Sequence, residues 1–333
     1  MSRFCRHNRF IERCPICRES VPGLVPPERA SRARTPKSAT PRAPVAGAHH
    51  AKPRRGRGAP QLRIRRETRA QDDGYRTALV PGLRASQDAE RLAEEIAFAD
   101  GRLVAITTAP PDLYGEIREQ EDAEQATWMC FLAAYLSPLE SEDPFAGVRR
   151  ALAADWRAGE LPDLSEIPLG PRTSHDPARG EETLRAYLHW AQDSYGGQGE
   201  AFAGEPAWSA QRRFERLFER LRLPGLGRMG RYDLLVTLGR IGVYELRADS
   251  LHLGGAGEGE DLATVAAKRL FAIGESMLLE RRAQALAEAT AVPIEALDLA
   301  FANWGAGERA TLGAAPELLD RHALERARAA LEL

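Results

Sequence analysis

Leu223-Pro224-Gly225-Leu226-Gly227 is the stretch on which the reading of this chain turns, and Asp249 lies 22 residues beyond its last glycine. Before it, residues 207–222 carry Phe214, Leu217, Phe218 and Leu221 at i, i+3, i+4 and i+7, the apolar stripe of an amphipathic helix. Pro224 and Gly225 end that helix, because proline lacks an N–H and glycine accepts positive φ. Gly227 opens a second apolar segment over residues 232–238, closed by Gly239. The spacing predicts two helices joined by a tight turn across residues 207–239. Glycines on both sides of Leu226 let the amides at the start of the second helix point outward, where the helix dipole adds partial positive charge. Gly225, Gly227, Arg228 and Arg231 are therefore candidates to hold a DNA backbone phosphate without reading sequence. An ordinary αα-hairpin is the alternative.

Beyond Gly239 the chain runs from Ile241 to Leu253 and sets Asp249 beside Ser250. This resembles the end of the helix-hairpin-helix motif in the endonuclease III-like DNA glycosylase superfamily, where a Leu-Pro-Gly-apolar-Gly turn precedes a catalytic Asp. Residues 128–139 are similar to that superfamily's early core helix, and the resemblance spans roughly residues 120–305. It implies a helix-hairpin-helix DNA glycosylase-like helical domain with Asp249 as the catalytic carboxylate; a helix N-cap is the alternative role for Asp249. Bifunctional members carry a lysine two residues past the second turn glycine, where this chain has Met229. Beyond the N-terminal region the only lysine is Lys268. Schiff-base chemistry is not expected, which leaves direct acid, base or electrostatic work at the base or sugar.

The N-terminus carries a separate pattern. Cys5, His7, Cys14 and Cys17 form Cys-x-His-x6-Cys-x2-Cys, four donors suited to a closed tetrahedral zinc site. Residues 1–20 are read as a Cys3His zinc knuckle holding structural Zn2+; free thiols in a reducing compartment are the alternative. The fourth cysteine, Cys130, falls in an apolar helical run and reads as a small core residue. Residues 21–86 are rich in Pro, Ala, Arg and Gly, with almost no large apolar residues before Leu62, and are expected to form a disordered linker. Charge is divided along the chain. Residues 1–71 hold 18 Lys and Arg against 4 Glu, a net of +14; the remaining 28 basic and 44 acidic residues give −16. A basic tail suits phosphate backbones through counterion release. Within the acidic part, Arg222, Arg228, Arg231, Arg240 and Arg247 concentrate around the hairpin.

Residues 87–333 suffice for a sizeable helical domain, and the fold class is read as all-α. Helical patterns fall at 87–99, 123–136, 144–158, 181–192, 207–222, 231–239, 261–289 and 294–303, with weak strand signals at 102–107 and 243–246. The glycine-rich stretches 195–199 and 254–259 match no phosphate-loop pattern and read as flexible loops. Asp249, His252 and Glu260 are a possible acid–base group, although a single histidine is usually structural. Asn303-Trp304 reads as a helix C-cap beside a core tryptophan. No apolar run reaches the length of a membrane span and residues 1–10 are charged, so neither a membrane partner nor a signal peptide is expected and the protein is placed in the cytoplasm.

A narrower resemblance rests on the Cys-His cluster, the basic linker, and the stretches Gly230-Arg231-Tyr232-Asp233-Leu234-Leu235, Ala266-Ala267-Lys268-Arg269-Leu270 and Leu297-Asp298-Leu299-Ala300. Together they resemble clade 3 of the alpha-glutamyl/putrescinyl thymine pyrophosphorylases. That resemblance implies a DNA base-hypermodifying enzyme, in which an amine co-substrate displaces pyrophosphate from 5-(pyrophosphoryloxymethyl)uracil in DNA. Asp249 would deprotonate the amine or stabilise charge at the methylene, Arg228 or Arg231 would hold either the leaving pyrophosphate or a DNA phosphate, and the base would leave the stack to be reached. A monofunctional DNA glycosylase and a non-catalytic zinc-knuckle DNA-binding adaptor are the alternatives.

Overall fold

Leu92, Ile96, Ala99, Leu103 and Ile106 recur at spacings of four and three, and all five are buried, so one long helix runs the length of Ser86–Thr108 (α1). The expected strand at 102–107 is therefore the last part of a helix. Its β-branched residues look strand-like locally, but Leu103 and Ile106 continue the buried stripe, and tertiary burial outweighs their propensity.

In this computed structural model, residues 70–254 and 261–333 are described. The Cys5, His7, Cys14 and Cys17 cluster, most of the basic linker and Glu260 lie outside them. After α1 come α2 (Leu113–Arg118), α3 (Ala123–Leu136), α4 (Ala146–Ala151), α5 (Glu182–Tyr195), α6 (Gln198–Ala203), α7 (Ala210–Arg220) and α8 (Arg228–Ile241). The chain continues through α9 (Leu262–Phe271), α10 (Ser276–Thr290), α11 (Ile294–Ala306) and α12 (Arg321–Ala330). Among the described residues the regular structure is helical, without strands, and no helix is long and apolar enough to cross a membrane. The weak signal at 243–246 is no strand but non-repetitive chain leading to Asp249, the alternative reading of that stretch.

Side-chain caps explain several of the helix starts. Asp122, Ser209, Asp261 and Asp320 each accept a backbone N–H from the first turn of α3, α7, α9 and α12, and Glu275 does the same for α10. The helical signal at 261–289 accordingly divides in two. Ala272 turns left-handed at φ +54°, and Glu275 restarts the helix by accepting from Met277 and Leu278. The signal at 144–158 also breaks, after Ala151 and without a left-handed residue at its C-cap Leu152, and Asp155 caps a short 3-10 turn at Trp156–Ala158.

Two long helices organise the packing: α1 lies against α11 and α12, with α9 on α11, while α3 runs against α8. Trp128, Cys130, Phe131 and Tyr135 of α3 are fully buried, and burial pushes the Cys130 thiol far above its ordinary range, so it is the core residue expected. Trp304 is also a core residue, its indole N–H donating to the Asp88 carbonyl at 3.0 Å. Asn303 is no C-cap; that position belongs to Gly307. Instead its buried amide donates to Glu95 at 3.1 Å and its oxygen accepts from the Ala310 amide at 3.0 Å.

The packed fold also begins earlier than expected. Val80 and Leu83 belong to the core, and the Gly82 amide donates to the Leu270 carbonyl at 2.8 Å. A Cβ at Gly82 would sit 1.8 Å from the Arg269 carbonyl oxygen, so this approach requires glycine. Residues 195–199 are likewise an ordered turn. Gly196 ends α5 at φ +84°, and the Glu124 carboxylate accepts from the Gln198 and Gly199 amides at 2.9 and 2.5 Å as α6 begins.

Candidate functional site around the helical hairpin

Phe214, Leu217, Phe218 and Leu221 are all buried, and they pin α7 to the body of the fold as their spacing requires. The Leu226 amide then closes a turn onto the Leu223 carbonyl at 3.1 Å, with Pro224 and Gly225 at its centre. Gly225 has φ +79°, as the second central residue of a type II turn must. A Cβ there would lie 2.1 Å from Thr183 Oγ1 on α5. Gly225→Ala is therefore expected to destabilise the fold by about 1–3 kcal/mol through strain and collision together. A midpoint of urea unfolding equal to the parent's would show that the turn tolerates a side chain.

Gly227 is the N-cap of α8, exposed, with no side-chain cap and open space where a Cβ would stand. The expected presentation of helix amides to solvent thus has the required access. The two arginines beside it face the other way. Arg228 is buried and forks onto Asp261, while it donates to Asp298 Oδ1 at 2.7 Å and to the Leu251 carbonyl at 2.8 Å. Arg231, also buried, donates to the Phe218 carbonyl at 2.9 Å, with its guanidinium 4.3 Å from the Phe218 ring centroid. Both side chains are thus largely buried and engaged within the fold, and both also line the cleft of about 400 Å³ that holds His252. The physical reason is that carboxylates and carbonyls from other segments of the chain meet both guanidiniums inside the fold.

Arg228 belongs to a buried network. Arg172 donates to Asp233 at 2.9 and 3.1 Å and to Asp298 Oδ2 at 2.7 Å, so Asp298 bridges the two arginines. Burial works against the charge on Arg172 and Arg228. The surrounding Asp233, Asp261 and Asp298 carboxylates outweigh it and hold both above the ordinary arginine range. This ties the start of α8 to α11 and to the N-cap of α9. Nothing in the local sequence announces it, because Arg172 and Asp298 are far apart in the chain.

Two clefts flank the segment that follows α8. Asp249 is exposed and lines a cleft of about 470 Å³ with Gln211, Arg247, Glu288 and Glu295. It caps no helix, which removes the structural alternative for this residue. Glu295 is paired with Arg240 at 3.1 Å, so that arginine too is engaged, whereas Arg222 and Arg247 remain exposed. His252 lies on the other side, in a cleft of about 400 Å³ shared with Arg222, Ser250, Ser276 and Glu280. Asp249 and His252 therefore line different clefts, so these two members of the possible acid–base group do not share one, and Glu260 lies outside the described residues. Glu215 of α7 stands between them: it is 3.4 Å from His252 Nε2, and its carboxyl is pushed up by burial, by Glu219 and by Asp249. A third cleft, about 700 Å³, opens beside Trp156, Arg185 and His189 and shares no lining residue with the other two.

His252 sits in a left-handed conformation at φ +55° with its ring stacked 4.0 Å from that of Phe218. Burial, then Arg228, Arg231 and Arg222, bring its pKa down to about 4. Its unfolded value is near 6.5, so below that pH the unfolded chain binds a proton that the fold refuses. Stability is therefore present above about pH 6.5 and lost as pH falls towards 4, by roughly 3 kcal/mol from this residue. Urea midpoints measured from pH 7 to pH 4 should fall less steeply in His252→Gln than in the parent; parallel curves would rule the residue out. Glu215, His252 and Glu280 are not legible as a site from sequence, since a lone histidine and scattered glutamates carry no spacing signal.

Among the described residues, no group of three or more His, Cys, Asp or Glu is arranged to hold a metal ion. Residues 172–310 match the family described as alpha-glutamyl/putrescinyl thymine pyrophosphorylase clade 3. That segment contains the hairpin, the arginine–aspartate network, Asp249 and His252. No curated protein and no solved structure matches the chain.

Proposed function

We propose that the family segment at residues 172–310 acts on a base in DNA, exchanging pyrophosphate on a 5-(pyrophosphoryloxymethyl)uracil for an amine. The observation that carries this reading is the family match across the hairpin and both flanking clefts. The amine nitrogen attacks the methylene carbon, the C–O bond to pyrophosphate breaks, and pyrophosphate leaves with the bonding electrons. Asp249 takes the proton that the nitrogen sheds, or stabilises positive charge at the methylene. The exposure of this carboxylate in an open cleft supports either role. The backbone at Gly225 and at the exposed, uncapped Gly227 holds a DNA phosphate, and the exposed Arg222 and Arg247 add positive charge beside it.

The test is mass spectrometry of nucleosides and free bases after incubation with duplex DNA carrying thymine, 5-hydroxymethyluracil or its pyrophosphate, with and without amines. A retained nucleoside that loses pyrophosphate and gains the amine is the expected product. Free base with an abasic site would make the protein a glycosylase, and unchanged DNA despite tight binding would make it an adaptor. Cys5, His7, Cys14 and Cys17 are proposed to hold one structural zinc. Elemental analysis should find about one equivalent in the parent protein and none in Cys14→Ala; equal content in both would remove the assignment.

A further inference from the structure

The geometry points to the cleft between α8 and α10 as a phosphoryl-oxyanion site that takes diphosphate, a role that rests on the proposed exchange reaction. Arg222 supplies an exposed guanidinium, Ser250 and Ser276 supply hydroxyls, and His252 supplies an imidazole, all lining one space of about 400 Å³. A diphosphate needs several donors at once, and planar guanidinium with hydroxyl donors is a chemistry that meets it. The carboxylates in reach do not close the site to an anion. Glu280 is turned to the backbone, where it accepts from the Leu251 amide at 2.8 Å and from the Leu253 amide. Glu215 contacts His252 from α7. The Asp249 cleft differs in character: Asp249, Glu288 and Glu295 line it with Arg247, so negative groups outnumber positive ones there.

The field in the α8–α10 cleft agrees with this. Arg228 and Arg231 from α8 and Arg222 from the turn all act on His252 in the sense that disfavours its proton, while Glu215 and Glu280 face it from α7 and α10. A bound dianion reverses that field and draws a proton onto the imidazole. The assignment therefore predicts a spectroscopic response as well as an affinity.

The full-length protein is titrated with inorganic pyrophosphate by calorimetry, and the histidine ring resonances are followed by NMR, with His252→Gln for assignment. Saturable binding is expected, with the His252 titration moving upward from about 4 as the site fills. Arg222→Ala and Ser276→Ala, both at exposed positions, should each weaken binding by about tenfold or more. Both variants keep the basic residues 1–71, so unchanged affinity would place the anion on that stretch and overturn the site, as would a His252 resonance that does not respond. Loss of duplex-DNA affinity in these variants without loss of pyrophosphate binding would make the cleft a backbone-phosphate contact and overturn the diphosphate assignment. Neither DNA nor amine is present in the titration. Its outcome is thus independent of whether base exchange is found by mass spectrometry.

Discussion

Asp249→Asn is expected to lower the yield of modified base by about 10²–10⁴-fold while duplex DNA is bound as before. Asparagine keeps the shape of the side chain and removes the charge and the proton acceptor. Because Asp249 is exposed and caps no helix, the change should leave stability within about 0.5 kcal/mol. Loss of product thus reports on chemistry, not on folding. Single-turnover product formation and DNA affinity, measured on the same preparation, separate the two. Full activity in this variant would move the role to another carboxylate, and Glu215→Gln is the next to compare. Burial has already pushed the Glu215 carboxyl up, and it contacts His252 while feeling the charge of Asp249.

The largest expected effect on stability comes from Asp298→Ala. Asp298 accepts from Arg228 and Arg172, each at 2.7 Å, and is itself almost fully buried. Arg102, Arg172 and Arg228 face Asp233, Asp261 and Asp298 in this region, so three positive charges meet three negative ones. Removing one carboxylate leaves an uncompensated positive charge and two N–H donors without their acceptor. Breaking a buried pair in this way costs about 3–5 kcal/mol, a large part of the 5–15 kcal/mol typical of a folded domain. Urea unfolding should show a midpoint lowered in proportion with an unchanged slope. A loss below about 1 kcal/mol would mean that the network is not what anchors α8. Since Arg228 is the first residue of α8, the same substitution should also loosen the amides at Gly227 and weaken DNA binding.

Much of the hairpin is legible in the order of its residues. Phe214, Leu217, Phe218 and Leu221 announce α7 by spacing, and Pro224 with Gly225 announces the turn, because backbone chemistry there leaves few conformations. The helical class and the buried roles of Cys130 and Trp304 follow from similar local rules. The strand signal at 102–107 misleads because β-branched residues prefer extended chain in isolation, and only the buried stripe of α1 reverses that preference.

What the amino-acid order by itself determined, then, is where this chain turns and which faces of its helices are apolar, since those depend on residues within a few positions of one another. The tertiary structure alone decided where the charged side chains point. Arg228 and Arg231 sit beside the turn in sequence, as phosphate ligands would, yet Asp261 and Asp298 reach Arg228 from remote helices and the Phe218 carbonyl reaches Arg231 across the hairpin. Asp249 and His252 are three residues apart and line different clefts, because the segment that carries them passes between α7 and the two helices α10 and α11. Charge partners are chosen by packing across long separations in the chain, and no local pattern encodes that choice.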